Sequence, residues 1–113
     1  MDFIKHINNE SWGVSIFIME KNGNAMAHCY YYNDCKEIIY LDTLNVSEEY
    51  RRQELGTKLQ EIREDIGKSV GAKKSMLFVD KNSWMHEWYK RRGYIDEEEC
   101  KNPDFIWMEK ELL

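Results

Sequence analysis

The chain has 113 residues, a net charge of -5, and apolar and aromatic shares of 42% and 13% that include four Trp and seven Tyr. A chain of this length builds one core that buries more than roughly 60% of its unfolded surface, and so much core material excludes a disordered chain although 33% of the residues are charged. The acidic balance excludes a general nucleic-acid binder, which is usually basic, and the longest apolar run, residues 14–19 broken by Ser15, is far short of the roughly 20 residues that cross a membrane.

The first residues, Met1, Asp2, Phe3, Ile4, Lys5 and His6, hold no basic region leading into an apolar stretch. No export signal is therefore expected, and the expected location is cytoplasmic. Position 12 opens the first strand. Trp12, Val14, Ile16 and Ile18 alternate with Gly13, Ser15 and Phe17, the period of two that a half-buried strand requires. Lys21-Asn22-Gly23-Asn24 follows, and Asn-Gly between extended segments marks a hairpin. Residues 25–32 form the return strand and Asn33-Asp34 the next turn. Residues 37–46, rich in Ile, Tyr, Leu and Thr, form a third strand.

Beyond Val46 the period changes. Leu55, Leu59, Ile62, Ile66 and Val70 recur at steps of three and four, which puts one apolar stripe on a helix. The rest of that helix is charged (Lys58, Glu61, Arg63, Glu64, Lys68), and Gly71 can stop it in a left-handed cap. Residues 75–80 read as a short strand. A second helix starts near Asn82 or Ser83, both good N-caps, carries Trp84, Met85, Trp88 and Tyr89 on one side, and closes with Lys90-Arg91-Arg92 before Gly93. Tyr94-Ile95 begins another strand ahead of the acidic run 96–99, and residues 105–112 alternate as the last one.

The predicted order is β-β-β-α-β-α-β-β in one domain over residues 1–113. The strand-helix-strand stretch 37–80 requires two parallel strands joined by a right-handed crossover. The outer strands pair as hairpins. The expected fold class is α/β (α+β): a mixed, mostly antiparallel sheet with a central parallel β-α-β unit and two main helices.

Cys29, Cys35 and Cys100 make no C-x-x-C pair, and His6, His28 and His86 form no spaced ligand set, so reduced thiols and no metal are expected. The chemistry lies at the joint between the third strand and the first helix. A strand feeding a loop that opens a helix presents unpaired backbone N–H groups at the positive helix end, which suits phosphate. Arg51, Arg52 and Lys58 add positive charge around it. On composition alone, a charged surface turn is the plainer reading.

The wording of the joint adds to this. Leu44-Asn45-Val46 followed by Arg51-Arg52-Gln53-Glu54-Leu55-Gly56-Thr57 resembles the acetyl-CoA segment of the GNAT acetyltransferase superfamily, in which a strand ending L-x-V precedes R/Q-x-x-G-x-G/A. Arg51 matches the first position, Gly56 the last glycine, and Thr57 a common small hydroxyl residue. Glu54 stands where the family has its first glycine. Downstream, residues 82–94 resemble the family's N-x-x-A-x-x-hydrophobic-Y-x-x-x-G-F/Y helix through Asn82, Trp88, Tyr89, Gly93 and Tyr94, with Met85 in place of the usual small residue. The two matches and the strand order cover about residues 11–113.

The resemblance implies a GNAT-like fold and an N-acetyltransferase with acetyl-CoA as cosubstrate and no metal. An amine attacks the thioester, and Tyr89 protonates the departing CoA sulfur. Leu44, Asn45 and Val46 hold the pantetheine arm and help polarise the carbonyl. The loop from Arg51 through Arg52, Gln53, Glu54, Leu55, Gly56 and Thr57 binds the pyrophosphate, and Asn82 contacts the cofactor through its amide. The family's usual Glu, six residues before the V, is Tyr40 here. Asp42 and Glu37 are the nearest carboxylates and His28 on the neighbouring strand is a third candidate; Asp42 joins Tyr89 as the expected catalytic pair. Relatives place two helices between their first two strands, and about ten residues precede the strand at Trp12. The acceptor side should be open, or completed by a homodimer or a bulky acceptor. The expected partner is an amine, either a small molecule or a protein lysine or N-terminus, with no nucleic acid and no membrane. A CoA-binding protein without catalysis, and a binding module using Tyr30, Tyr31 and Tyr32, are the competing readings.

Overall fold

The two periodicities of the sequence produce seven strands and two helices, which the computed structural model describes over residues 2–112. β1 (Phe3–Asn9), β2 (Gly13–Glu20), β3 (Ala25–Tyr32) and β4 (Cys35–Val46) form an antiparallel meander. A 3-10 segment (Glu48–Gln53) leads into α1 (Leu55–Ser69), followed by β5 (Lys74–Asp80), α2 (Trp84–Lys90), β6 (Ile95–Glu99) and β7 (Phe105–Glu111). The sheet order is β1-β2-β3-β4-β5-β7-β6, and β4 with β5 is its parallel pair. The fold class is the predicted one: a mixed, mostly antiparallel sheet around a parallel β-α-β unit.

The chain has one strand more than its pattern predicts. β1 pairs with β2 along its whole length, yet six of its seven residues are exposed. An edge strand that buries so little needs no apolar alternation, so its sequence shows none. Trp12, expected to open the first strand, lies in the three-residue turn from β1 to β2. Where the resemblance puts two helices, this chain has only that turn.

α1 lays its apolar stripe over β3, β4 and β5. Leu55, Leu59 and Ile66 are buried as predicted, and Ile62 and Val70 are half-buried. A Cβ on Gly67 would come within 2.7 Å of Ile39 Cγ2, so a glycine there lets the helix approach β4 closely. Gly71 has φ +89° and ends the helix in the left-handed cap expected of it. Arg63 contradicts the sequence reading. It belongs to the charged remainder of the helix in sequence and is nevertheless fully buried, because it serves carbonyls of β3 and β4.

α2 packs over β5, and bonds from Arg63 to Tyr89 and from Arg92 to Thr57 tie it to α1. Both helices therefore cover one face, over Ile18, Ala27, Cys29, Ile39, Leu41 and Leu77. Cys29 is buried here, and burial pushes its thiol up to about 11. No described helix covers the other face. Register pairs put Phe17 beside His28, Tyr30 beside Tyr40, Tyr40 beside Met76, and Phe78 beside Trp107 on it. At the sheet's two edges stand β1 and β6, and all five residues of β6 are exposed.

Candidate active site

β4 and β5 are hydrogen-bonded partners only at Ile38–Lys74, Ile39–Ser75 and Tyr40–Met76. Beyond Tyr40 the strands part. The cause lies on the other side of β4, where the pairing steps from Cys29–Leu41 to Ala27–Leu44. Asp42 and Thr43 thus stand opposite His28 alone, a bulge that bends the strand. The slot left between β4 and β5 has a volume of about 250 Å³, with Asp42, Thr43, Leu44 and Asn45 on one wall and Leu77, Phe78 and Val79 on the other. Met85 and Tyr89 of α2 stand at its helix side.

A bulge turns backbone carbonyls out of the ladder, and buried carbonyls need donors. Arg63 supplies them: its Nη1 donates to His28 O at 3.2 Å, to Asp42 O at 3.2 Å and to Thr43 O at 3.4 Å. Its Nη2 donates to Gln60 Oε1 and, at 2.9 Å, to Tyr89 Oη. This explains how a charged side chain ends up in the core. The Tyr89 oxygen is thus an acceptor toward Arg63, so its own proton is left for a partner in the slot. Tyr89 is 3% exposed.

Next to the slot, and sharing Leu44, Asn45 and Met85 with it, lies a cleft of about 730 Å³. Val46, Arg51, Glu54, Gly56 and Thr57 line one side, and Trp84, Trp88 and Arg92 the other. The first helical bond of α1 runs from Lys58 N to Glu54 O. The N–H groups of Leu55, Gly56 and Thr57 precede the first bond of the α1 ladder, and no acid occupies the first turn. A Cβ on Gly56 would meet Trp88 Cζ2 at 3.6 Å, an ordinary contact that admits alanine, as the motif does. Arg51 Nε donates to Val46 O at 3.2 Å, bracing the loop against the strand end.

Glu54 has φ +60° and ψ 21° and is the one non-glycine residue with positive φ among the described residues. The left-handed region costs an L-residue roughly 1–2 kcal/mol. The glycine of the motif answers a backbone requirement that this chain meets with glutamate.

The structure gathers Leu44, Asn45, Val46, Arg51, Glu54, Gly56 and Thr57 around the cleft, and Asp42 and Tyr89 around the slot. It separates three other expected residues from them. The Leu55 side chain is in the core at 1% exposure, so only its backbone N–H faces the loop. Asn82 sits on an exposed turn with its N–H on Asp80 Oδ1, and Ser83 takes the N-cap. Glu37 pairs with Lys73 at the opposite end of β4. The side chains of Arg52 and Gln53 lie outside the described residues. Among the described residues no three His, Cys, Asp or Glu side chains converge as metal ligands.

Arg92 was read only as a basic helix end. Its guanidinium lies 3.5 Å from the Trp88 ring centroid and donates to Thr57 Oγ1 at 2.9 Å and to Trp88 O at 3.0 Å. Burial, with Arg91 beside it, pulls it below the ordinary arginine value, and its buried Nε has no acceptor. A cation held at the cleft mouth with an unused donor suits an anion. The signal is the Trp88–Arg92 spacing of four across the end of α2.

The sequence pattern of the acetyltransferase (GNAT) family matches residues 2–94. No curated protein sequence matches the chain. Among solved structures, an acetyltransferase from Bacillus cereus is 23% identical with a TM-score of 0.66, over 88% of this chain and 72% of that one. A GNAT-family acetyltransferase from Staphylococcus aureus is 14% identical with a TM-score of 0.71, over 89% and 69%. The PaiA N-acetyltransferase of Thermoplasma acidophilum, solved with coenzyme A, is 18% identical with a TM-score of 0.73, over 88% of this chain and 61% of that one.

Proposed function

The chain belongs to the acetyltransferase (GNAT) family, and we propose that it moves an acetyl group from acetyl-CoA to a primary amine by direct attack. The observation that carries this reading is the continuity of cleft and slot: a phosphate-ready helix start and Arg92 at one end, Tyr89 at the other. In this reading the pyrophosphate lies on the N–H groups of 55–57 near Arg92, and Arg51 braces the loop. The pantetheine arm follows Leu44, Asn45 and Val46 into the slot. The amine nitrogen attacks the thioester carbon, the C–S bond breaks, and Tyr89 gives its proton to the sulfur. The bulge and its fixed dipoles position the reacting carbonyl.

A melting scan with and without acetyl-CoA tests cofactor binding. At about 100 times the dissociation constant the ligand adds roughly 2.7 kcal/mol, which raises the midpoint by several degrees. The absence of a shift with acetyl-CoA, together with a shift from an oligonucleotide, rejects the reading. CoA release in the presence of amines separates an enzyme from a CoA-binding protein without catalysis.

Glu54→Gly should tighten acetyl-CoA by up to about tenfold, a gain of roughly 1.4 kcal/mol. The substitution removes a like charge and side-chain bulk beside the pyrophosphate; the release of left-handed strain and the added freedom of glycine in the unfolded chain act on folding stability instead. Calorimetric titration at low salt measures it. Weaker binding by the glycine variant would mean that the carboxylate supports the loop.

A further inference from the structure

Beneath α1 a chain of polar side chains runs from the far side of the sheet to Tyr89. Its middle members, Gln60 and Arg63, are 3% and 0% exposed. The far end is the Glu64 carboxylate, which Lys110 Nζ holds through Oε1 at 3.0 Å. A carboxylate can only accept, so Gln60 Nε2 gives one proton to Glu64 Oε2 at 2.9 Å and the other to Tyr94 Oη at 2.8 Å. Tyr94 gives its own proton to Glu64 Oε2 at 3.0 Å and lies 2.9 Å from Ser75 Oγ. With both amide protons placed there, Gln60 Oε1 faces Arg63 Nη2 and accepts from it. The reversed amide would set N–H against N–H at Arg63 and oxygen against carboxylate at Glu64. Only one orientation satisfies both ends.

Arg63 Nη2 carries two protons. One goes to Gln60 Oε1 and the other to Tyr89 Oη at 2.9 Å, while Nη1 is held by the three carbonyls at the β4 bulge. The guanidinium cannot turn without breaking one of these bonds. Gln60 holds it through a neutral oxygen, so the charge of Arg63 is left for the phenol. A bond from a guanidinium to a phenolate is charge-assisted and stronger than one to a neutral phenol. The Arg63–Tyr89 bond therefore strengthens as Tyr89 gives up its proton, and interactions that grow toward the transition state are the ones that speed a step.

We propose that Gln60 is a positioning residue for acetyl transfer: through Arg63 it aims one fixed N–H at the Tyr89 oxygen, so that the phenol offers its proton to the slot and the phenolate left behind keeps a charged partner. The inference rests on the acetyl-transfer reading above, with Tyr89 as its acid. In that step the amine nitrogen forms the N–C bond, the C–S bond breaks with its pair on sulfur, and the Tyr89 proton moves to sulfur. The proton that the nitrogen sheds passes by water to the phenolate and restores Tyr89. Arg63 keeps all of its protons throughout.

The test follows CoA release from acetyl-CoA to hydroxylamine and to 2-phenylethylamine. Gln60→Leu should lower kcat about tenfold with an amine that is accepted, the scale of one coupled pair, while its KM and the acetyl-CoA affinity stay within about twofold. In the Tyr89→Phe background the same substitution should change kcat by less than about twofold, because no phenol is left to aim at. NMR of the wild-type protein should resolve separate signals for the Arg63 Nη1 and Nη2 protons, since a locked guanidinium does not rotate. That readout needs no variant to fold. Equal fractional losses in the two backgrounds, an unchanged kcat in Gln60→Leu, a loss carried by KM, or averaged guanidinium signals overturn the positioning role and leave acetyl transfer standing. Wild-type turnover by Tyr89→Phe removes the acid and the positioning role with it. Wild-type protein that binds acetyl-CoA but releases CoA to neither amine overturns acetyl transfer itself.

Discussion

Tyr89→Phe should bind acetyl-CoA as the wild type does and turn over about 100- to 10,000-fold more slowly. The substitution deletes one oxygen and leaves a ring that packs edge-on against Trp88 and Tyr94, with centroids 5.0 and 5.4 Å away. What disappears is the proton donor to the leaving sulfur. That oxygen also accepts from Arg63 Nη2, so a modest loss of stability accompanies the change, about 1 kcal/mol for one hydrogen bond. The measurement is pre-steady-state CoA release with an accepted amine, under conditions where chemistry limits the rate. A phenylalanine variant with wild-type turnover would remove Tyr89 from the mechanism.

Arg63→Met should destabilise the fold by about 3 kcal/mol or more. Methionine fills much of the volume but leaves three carbonyls at the β4 bulge and the Tyr89 oxygen without this donor, and each buried orphan costs roughly 1–3 kcal/mol. Relief of the buried charge offsets part of this, since no carboxylate pairs with Arg63 among the described residues and its Nε has no acceptor. For a domain near 100 residues each kcal/mol moves the melting midpoint by about 4–8 °C, so the drop should exceed about 10 °C. Arg63→Lys keeps the charge but cannot fork between carbonyls and phenol, and it should fall in between. Thermal unfolding of the three proteins decides it. A methionine variant as stable as the wild type would show that the guanidinium's desolvation cancels its bonds.

Most of the fold was legible because buried strands and an amphipathic helix announce themselves by period. The β2–β3 hairpin at Asn22-Gly23, the stripe from Leu55 to Ile66 and the Gly71 cap all follow from local chemistry. β1 was not legible, since an edge strand exposing Ile4 and Ile7 has no face to hide. Arg63 was misread for the opposite reason. Its burial is dictated by carbonyls on β3 and β4, 20 and more residues away in sequence, and no periodicity encodes them. At the site, the loop residues came from a motif, and Glu54 was flagged as its exception. Its positive φ is the physical content of that exception. Ser15 was only a strand position until β2, β3 and β4 were laid side by side. Its hydrogen bond to His28, and that of His28 to Asp42, join residues 13 and 14 positions apart in sequence.

The two margins of the sheet differ in kind. β6 offers Asp96, Glu97, Glu98 and Glu99 along five exposed residues, with its register broken between Asp96 and Glu99. A second strand laid against it would meet a row of like charges and an interrupted ladder, the usual guards against unwanted pairing. β1 has neither guard: it is seven residues long, in unbroken register with β2, and has Lys5 as its one formally charged side chain. Sheet extension between copies is therefore open on one side only. Two chains meeting β1 to β1 about a two-fold axis would build a fourteen-strand sheet, twice the seven of one chain, with an acidic margin at each end. Growth stops there. An acidic, interrupted margin of this kind would oppose further growth of such a sheet.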